Sequence, residues 1–197
     1  MSPAHVLEPT YLRLKQALLD GAWPVGGKLE AMRLADEFGV SMTPVRDCLN
    51  QLVGEGLVEL TPGEGFRVAF LTEQVLRDML RLNRLLLEEA IKIGEPNVAL
   101  DKEQRPYATY AGRLATIFSN LASGADNRIL GYVVGRLNDR LYLVRSRESE
   151  ILPNAGELME KLEKSIDAST AGRLEALTRY TEECLANVSR LIATLKT

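Results

Sequence analysis

The sequence predicts a mainly α-helical protein in two parts: an N-terminal winged helix-turn-helix, three helices with a β-hairpin wing, followed by an all-α antiparallel helical bundle. Three observations carry this. Between Leu29 and Val53, two short stretches with helical apolar spacing meet at Gly39-Val40-Ser41, and two helices joined by so short a turn form a helix-turn-helix. Directly afterwards, Leu57-Val58-Glu59-Leu60 and Phe66-Arg67-Val68-Ala69-Phe70 flank Thr61-Pro62-Gly63-Glu64-Gly65, the pattern of two strands around a turn. From Thr72 onward no strand pattern recurs, and apolar residues return every three or four positions.

Composition sets the outer bounds. The chain has 197 residues, 46% of them hydrophobic, which is ordinary for a globular protein and leaves room for two small domains. No apolar run approaches the roughly 20 residues a membrane helix needs, and Met1 to Pro9 lacks the basic-then-apolar order of a signal peptide. A cytoplasmic protein without a membrane partner is expected. The two cysteines, Cys48 and Cys184, lie far apart in helical segments; this spacing suits neither a zinc site nor a disulfide scaffold, and both read as small buried hydrophobes. The acid pairs Glu88-Glu89 and Glu182-Glu183 are neighbours on helices, so each pair diverges around the axis instead of converging on a substrate. With no nucleophile–base pair or phosphate loop either, an enzyme is not expected.

The elements follow in order. Residues 1–9 read as a loose arm carrying His5, the chain's one histidine. Tyr11, Leu14 and Leu18 share a stripe on a first helix that Gly21 ends, with Trp23-Pro24 and the Val25-Gly26-Gly27 turn behind it. A second helix over Leu29–Phe38 buries Leu34, Ala35 and Phe38 and stops at Gly39. In the third, Thr43 is the expected N-cap and Pro44 fits the first turn, where its missing N–H has no partner. Val45, Leu49, Leu52 and Val53 form its core face, which leaves Arg46 on a turn that faces outward. Residues 10–71 make up this domain and residues 72–197 the bundle. Thr72 caps a five-turn helix that Gly94-Glu95-Pro96 stops. A segment from Asn97, interrupted by Pro106, precedes helices near Tyr107–Ala122, Asn127–Arg147, Ala155–Ala168 and Ala171–Lys196.

A short helix offering hydroxyls and one arginine from its N-terminal end suits a major groove. Arg46 is expected at guanine O6/N7 or a flanking phosphate, Ser41 and Thr43 at the backbone, and Arg33 on the helix before. Since Glu64 at its tip repels phosphate, the wing is expected to contact through the backbone of Gly63 and Gly65 or not at all. Charge runs the other way. Through Thr72 there are six basic and nine acidic residues, a net of −3 where most DNA-binding modules are basic. Steering must then be local, from Arg33, Arg46, Arg67 and the helix N-terminus, or affinity must be doubled by dimerisation.

From Tyr11 to Val68 the chain resembles the winged-helix domain of the GntR family of bacterial transcriptional regulators. The resemblance lies in Leu18-Leu19-Asp20-Gly21, Gly27-Lys28-Leu29, Leu34-Ala35, Phe38-Gly39-Val40-Ser41, Thr43-Pro44-Val45-Arg46, Gly56-Leu57-Val58 and Gly65-Phe66-Arg67-Val68. It departs at Met42, where relatives commonly place a cation, and at Gly26-Gly27, where they carry Pro-Gly. The helical part is similar to the FCD effector domain of the FadR branch, in a compact, VanR-like size, through Arg84 with Glu88, Ser123-Gly124 to Asn127, and the long final helix.

Many FCD domains hold a divalent metal with an Asp and three His. Here the corresponding positions fall near Leu114, Phe118, Met159 and Thr181, side chains that supply few of the ligands such a cation needs. The resemblance therefore implies a metal-free domain with no cofactor. Either its pocket takes an apolar or acyl-like small effector, or it has closed and become core. Arg84, Arg113, Asn127, Asn138 and Arg140 are the effector-binding candidates. Arg84 with Glu88 also fits a surface pair one helical turn apart. The function implied is a homodimeric repressor that binds an operator in double-stranded DNA and responds to that effector. The alternative is a dimeric DNA-binding or protein-interaction regulator that has lost ligand sensing.

Overall fold

Leu14, Val45, Leu49 and Leu52 are completely buried together, so the apolar stripes of the first and third predicted helices do meet in one core. The computed structural model describes residues 4–96 and 109–195, with side chains described from Leu7 onward. The chain divides into two compact units between Leu71 and Thr72. The expected segment from Asn97 through Pro106 lies outside the described residues, as does the side chain of His5.

In the first unit, helix α1 spans Ala4–Leu19, α2 Ala31–Phe38 and α3 Met42–Glu55; strands β1 (Lys28–Leu29), β2 (Val58–Thr61) and β3 (Gly65–Val68) form an antiparallel sheet in the order β1-β3-β2. Three expectations need correction. Residues 4–9 are not an arm: α1 starts at Ala4 and carries Pro9 inside it. Proline removes a helix hydrogen bond, but Leu7 packs against the core, its carbonyl accepts from the Cys48 thiol at 3.6 Å, and Thr10 is buried. Lys28-Leu29 is a strand, not the start of α2, because Leu29 pairs with Phe66 and is buried. The N-cap of α3 is Ser41, in extended conformation, which places Thr43 and Pro44 within the first turn.

Glycines punctuate the motif as the sequence implied. Gly39 and Gly56 end α2 and α3 in the left-handed region, at φ 67° and 72°. In the wing, Pro62 and Gly63 (φ 80°) occupy the centre of a turn closed by Glu64 N–H donating to the Thr61 carbonyl at 3.0 Å, a type II turn that requires glycine at its third position.

In the second unit, α4 (Glu73–Ile93), α5 (Tyr110–Ser123), α6 (Arg128–Ile151), α7 (Ala155–Ser165), α8 (Thr170–Ala186) and α9 (Val188–Ala193) pack as a bundle. Thr72 caps α4 by accepting from Val75 N–H at 3.2 Å, and Leu76, Met79, Leu80, Asn83, Leu87, Ala90 and Ile91 form its buried stripe. The expected final helix breaks at Asn187, whose N–H turns back to the Cys184 carbonyl and whose amide donates to the Glu183 carbonyl at 3.0 Å. Local side-chain bonding of that kind competes with the helix ladder.

Gly94 and Gly124 bring two backbones together: a Cβ at Gly94 would meet the Gly124 carbonyl oxygen, and one at Gly124 the Glu95 carbonyl. Gly94→Ala is therefore expected to cost about 1–3 kcal/mol, seen as a lowered midpoint in denaturant unfolding. An unchanged midpoint would mean that the backbones separate freely.

Candidate nucleic-acid interface

α3 has two faces set by its spacing. Val45, Cys48, Leu49 and Leu52 are buried, while Ser41, Met42, Thr43, Arg46, Asp47 and Asn50 are exposed. Thr43, Arg46 and Asn50 follow one another at intervals of three and four, so they line one outward strip. Asn50 was not anticipated, although this interval was readable; its amide can pair with adenine in a major groove. Neither Ser41 nor Thr43 uses its hydroxyl on a described residue, and Ser41 caps through its backbone alone.

The six cations of this unit separate into two groups. Lys15 pairs with Glu55 at 3.1 Å, Lys28 with Glu30 at 3.4 Å and Arg67 with Glu64 at 3.1 Å. Arg13 lies over the Phe38 ring at 4.4 Å. Arg33 and Arg46 are exposed and form no ion pair with a described residue. No ion pair ties Arg46 to the adjacent Asp47 or to another described carboxylate. At the wing, Glu64 is held by Arg67, whose guanidinium also reaches the Gly26 carbonyl at 3.5 Å. Gly63 and Gly65, at φ 80° and 86°, carry no side chain between their backbone and solvent.

The base of α3 is fixed by its last residue. Glu55 is buried and accepts from the Tyr11 phenol at 2.5 Å while Lys15 pairs with it, so α1 holds the inner end of α3. Burial, with the bond to Glu55, raises the Tyr11 pKa. Burial also pushes the Cys48 thiol up to about 11, so it stays protonated at neutral pH and unreactive.

In the helical unit, the five effector candidates are not brought together. Arg84 forms the surface pair with Glu88, Nε to Oε1 2.5 Å, and lies 4.0 Å from Glu182 on α8. Arg113 is bound to Glu163 on the outside, at 2.6 and 2.9 Å, with its side chain 47% exposed. The Asn127 side-chain oxygen caps α6, accepting from Ile129 and Leu130 at 3.1 and 3.0 Å. Arg140 is half-buried. Only Asn138 is fully buried, donating to the Ala115 carbonyl and the Ser119 hydroxyl at 3.2 and 3.3 Å.

Around Asn138 lies a polar cluster that sequence reasoning missed. Arg145 and Glu148 are wholly buried on α6, together with Tyr180 and Cys184 on α8 and Phe118 on α5. Arg145 donates to Asn138 Oδ1 at 2.7 Å, and Tyr180 donates to the Glu148 carboxyl at 3.0 Å from either oxygen. Burial pushes Glu148 up to about 7, against the pull of Arg145 and of the hydrogen bonds from Tyr180 and Cys184. The signal was present: positions 138, 141, 145 and 148 continue the interior stripe of α6. Leu114, Phe118, Met159 and Thr181, which the resemblance set near a metal site, are all buried.

Comparison with known proteins agrees with this architecture. Residues 8–68 match the family described as "Bacterial regulatory proteins, gntR family". The uncharacterized HTH-type transcriptional regulator YdhC of Bacillus subtilis (strain 168) is 24% identical over 197 residues, 88% of this chain and 87% of its own. The HTH-type transcriptional repressor GlaR of Escherichia coli (strain K12) is 35% identical over 88 residues, 43% of this chain and 40% of its length. Among solved structures, E. coli McbR/YncC superposes with a TM-score of 0.67 at 20% identity, covering 94% of this chain and 97% of that one. A putative GntR transcriptional regulator from Rhodococcus sp. RHA1 gives 0.66 at 18%, covering 96% of each. The last two show the fold, a winged helix-turn-helix with a helical C-terminal domain.

Proposed function

We propose, from the match of residues 8–68 to the gntR family of bacterial regulatory proteins, that the chain is a homodimeric DNA-binding repressor whose hold on its operator answers to a small organic effector. The observation that carries the reading is the pair Arg33 and Arg46, exposed on the two helices of the motif and tied to no described carboxylate. In a unit of net charge −3, they are the groups left to meet phosphates and base edges.

Homodimerisation is supported by α4, where Leu82, Leu85 and Ile93 are 43%, 63% and 55% exposed. With Glu89 between them, they fall at intervals of three, four and four and form one apolar strip outside the bundle. A twofold dimer would place two α3 helices on half-sites one helical turn apart. Leu85→Asp is expected to move the protein from dimer to monomer in gel filtration at micromolar concentration and to weaken DNA retardation about tenfold or more. A variant that elutes as a dimer would place the interface elsewhere.

The effector reading draws on Asn138 and Arg145, polar groups inside the helical unit; we read that unit as a metal-free relative of FCD domains, and the protein as cytoplasmic. Among the described residues, no helix is long and apolar enough to cross a membrane. A regulator that has lost sensing is the second reading, favoured by the burial of Leu114, Phe118, Met159 and Thr181.

Gel retardation with the DNA upstream of the protein's own gene tests the whole. Selective retardation against random duplex is expected, with a salt slope near −4, since two open cations per protomer make about four phosphate contacts per dimer at roughly 0.9 each. Equal retardation of both DNAs would overturn the sequence-specific reading.

A further inference from the structure

The wing carries a cation that its own neighbour neutralises. Arg67, on β3, reaches back to the turn, where its Nη2 donates to Glu64 Oε2 at 3.1 Å; the two side chains are 32% and 58% exposed, so the guanidinium is laid against the sheet while the carboxylate stands at the tip. The rest of the guanidinium is poorly matched. Nη1 donates to the Gly26 carbonyl at 3.5 Å, and Nε is buried with no hydrogen-bond partner. A desolvated, unmatched donor costs free energy that solvent or a new acceptor would return, so this pose is held chiefly by Glu64. Lys28 stands opposite Arg67 in the β1–β3 register and pairs with Glu30 at 3.4 Å. Like charges facing each other across a sheet repel, so each of these cations depends on an anion beside it. Glu59, opposite Arg67 on β2, is engaged by the Phe70 N–H at 3.0 Å.

We propose that the Glu64–Arg67 pair is a brake on DNA binding: Glu64 holds the Arg67 guanidinium back on the wing, and removing the Glu64 charge hands that guanidinium to a backbone phosphate. This rests on the DNA-binding reading above and concerns how tightly the domain binds, not which sequence it prefers. Phosphate oxygens fit the guanidinium fork as carboxylate oxygens do, and an exposed ion pair is a weak contact by itself. What keeps the pair closed is its position. The carboxylate sits three residues away in the chain, whereas a phosphate has to approach against the charge of Glu64 itself. A phosphate contact carries no base information, so the brake lowers affinity for operator and random duplex by the same factor.

Gel retardation of the wild type, Glu64→Gln and the double variant Glu64→Gln/Arg67→Met, on the upstream DNA and on random duplex over a range of salt, is the test. Glu64→Gln is expected to bind both DNAs about tenfold tighter at about 0.1 M salt, and its salt slope to steepen from near −4 to about −6, because two further phosphate contacts per dimer add roughly 0.9 each. The double variant, which keeps the aliphatic stem of Arg67 without its charge, is expected to return to the wild-type affinity and slope. Folding is not at stake at Glu64, whose backbone N–H closes the wing turn and whose side chain is exposed; thermal melts check both variants. A wild-type slope in Glu64→Gln overturns the proposal, with Arg67 turned to Glu59 or to solvent. So does a double variant that keeps the gain, which would assign it to lost repulsion by Glu64 alone. Absent retardation of wild type and Glu64→Gln alike removes the DNA-binding reading together with the brake, whereas wild-type retardation that Glu64→Gln leaves unchanged removes the brake alone.

Discussion

Arg46→Ala is expected to weaken operator binding by about 1–3 kcal/mol per half-site, so on the order of 2–6 kcal/mol for a dimer that engages both. Arg46 is exposed on the same strip as Thr43 and Asn50, and no described carboxylate competes for its guanidinium. A base edge that loses a bidentate arginine loses both charge and directional hydrogen bonds, while the remaining cation of the motif, Arg33, stays in place. Folding should be untouched, because the core face of α3 is Val45, Cys48, Leu49 and Leu52, on the opposite side; surface changes of this kind stay within about 0.5 kcal/mol. Arg46→Lys separates the two modes of contact. If Arg46 reads guanine, lysine restores little; if it holds a phosphate, lysine restores most of the affinity. Retardation titrations of the three proteins, with thermal melts as the folding control, are the measurement, and an alanine variant that binds like wild type would remove Arg46 from the interface.

Glu148 should make stability fall as pH rises. Its folded pKa, about 7, lies above the ordinary 4.5 because burial disfavours its charge. Between those values the folded chain holds a proton that the unfolded chain has released, so the unfolding free energy declines with pH across this window. The contribution is fully present below about pH 4.5 and lost as pH passes through about 7. At about 1.4 kcal/mol per pH unit it amounts to something on the order of 3 kcal/mol. Glu95, Glu157 and Glu160 do not obscure this, since hydrogen bonds from Arg173, Lys161 and Lys164 hold them below the usual carboxylate range. Glu148→Gln keeps an acceptor for Tyr180 without the ionisation. Its denaturant-unfolding profile from pH 5 to pH 8 is expected to be flatter than that of wild type, with the variant the more stable protein at pH 8. Parallel profiles would show that Glu148 keeps one protonation state throughout.

Several features of the chain could be read one residue at a time. Gly39 and Gly56 end helices because only glycine enters the left-handed region at little cost, and Pro62-Gly63 fixes the wing turn for the same reason. The outward position of Arg46 follows from its offset against Val45 and Leu49, with no knowledge of what those residues touch. Helix order in the second unit came from the spacing of three and four, and its first boundary from Thr72. Where a local signal conflicted with a distant contact, the contact prevailed: Pro9 lies inside α1 because Leu7 has a core to join, and Leu29 belongs to a strand because Phe66 is opposite it.

The polar residues mark the limit of what could be read. Arg113 and Asn127 were read as effector anchors and serve a surface pair and a helix cap, whereas Arg145 and Glu148, which the sequence reading did not single out, are wholly buried. The sequence alone determined most of the elements, their order and the outward position of Arg46 on α3, because backbone periodicity and glycine or proline stereochemistry act over a few residues. The tertiary structure decided which cations stay open and which charges lie inside. A charge is neutralised, desolvated or left free by neighbours that only packing brings within a few ångströms.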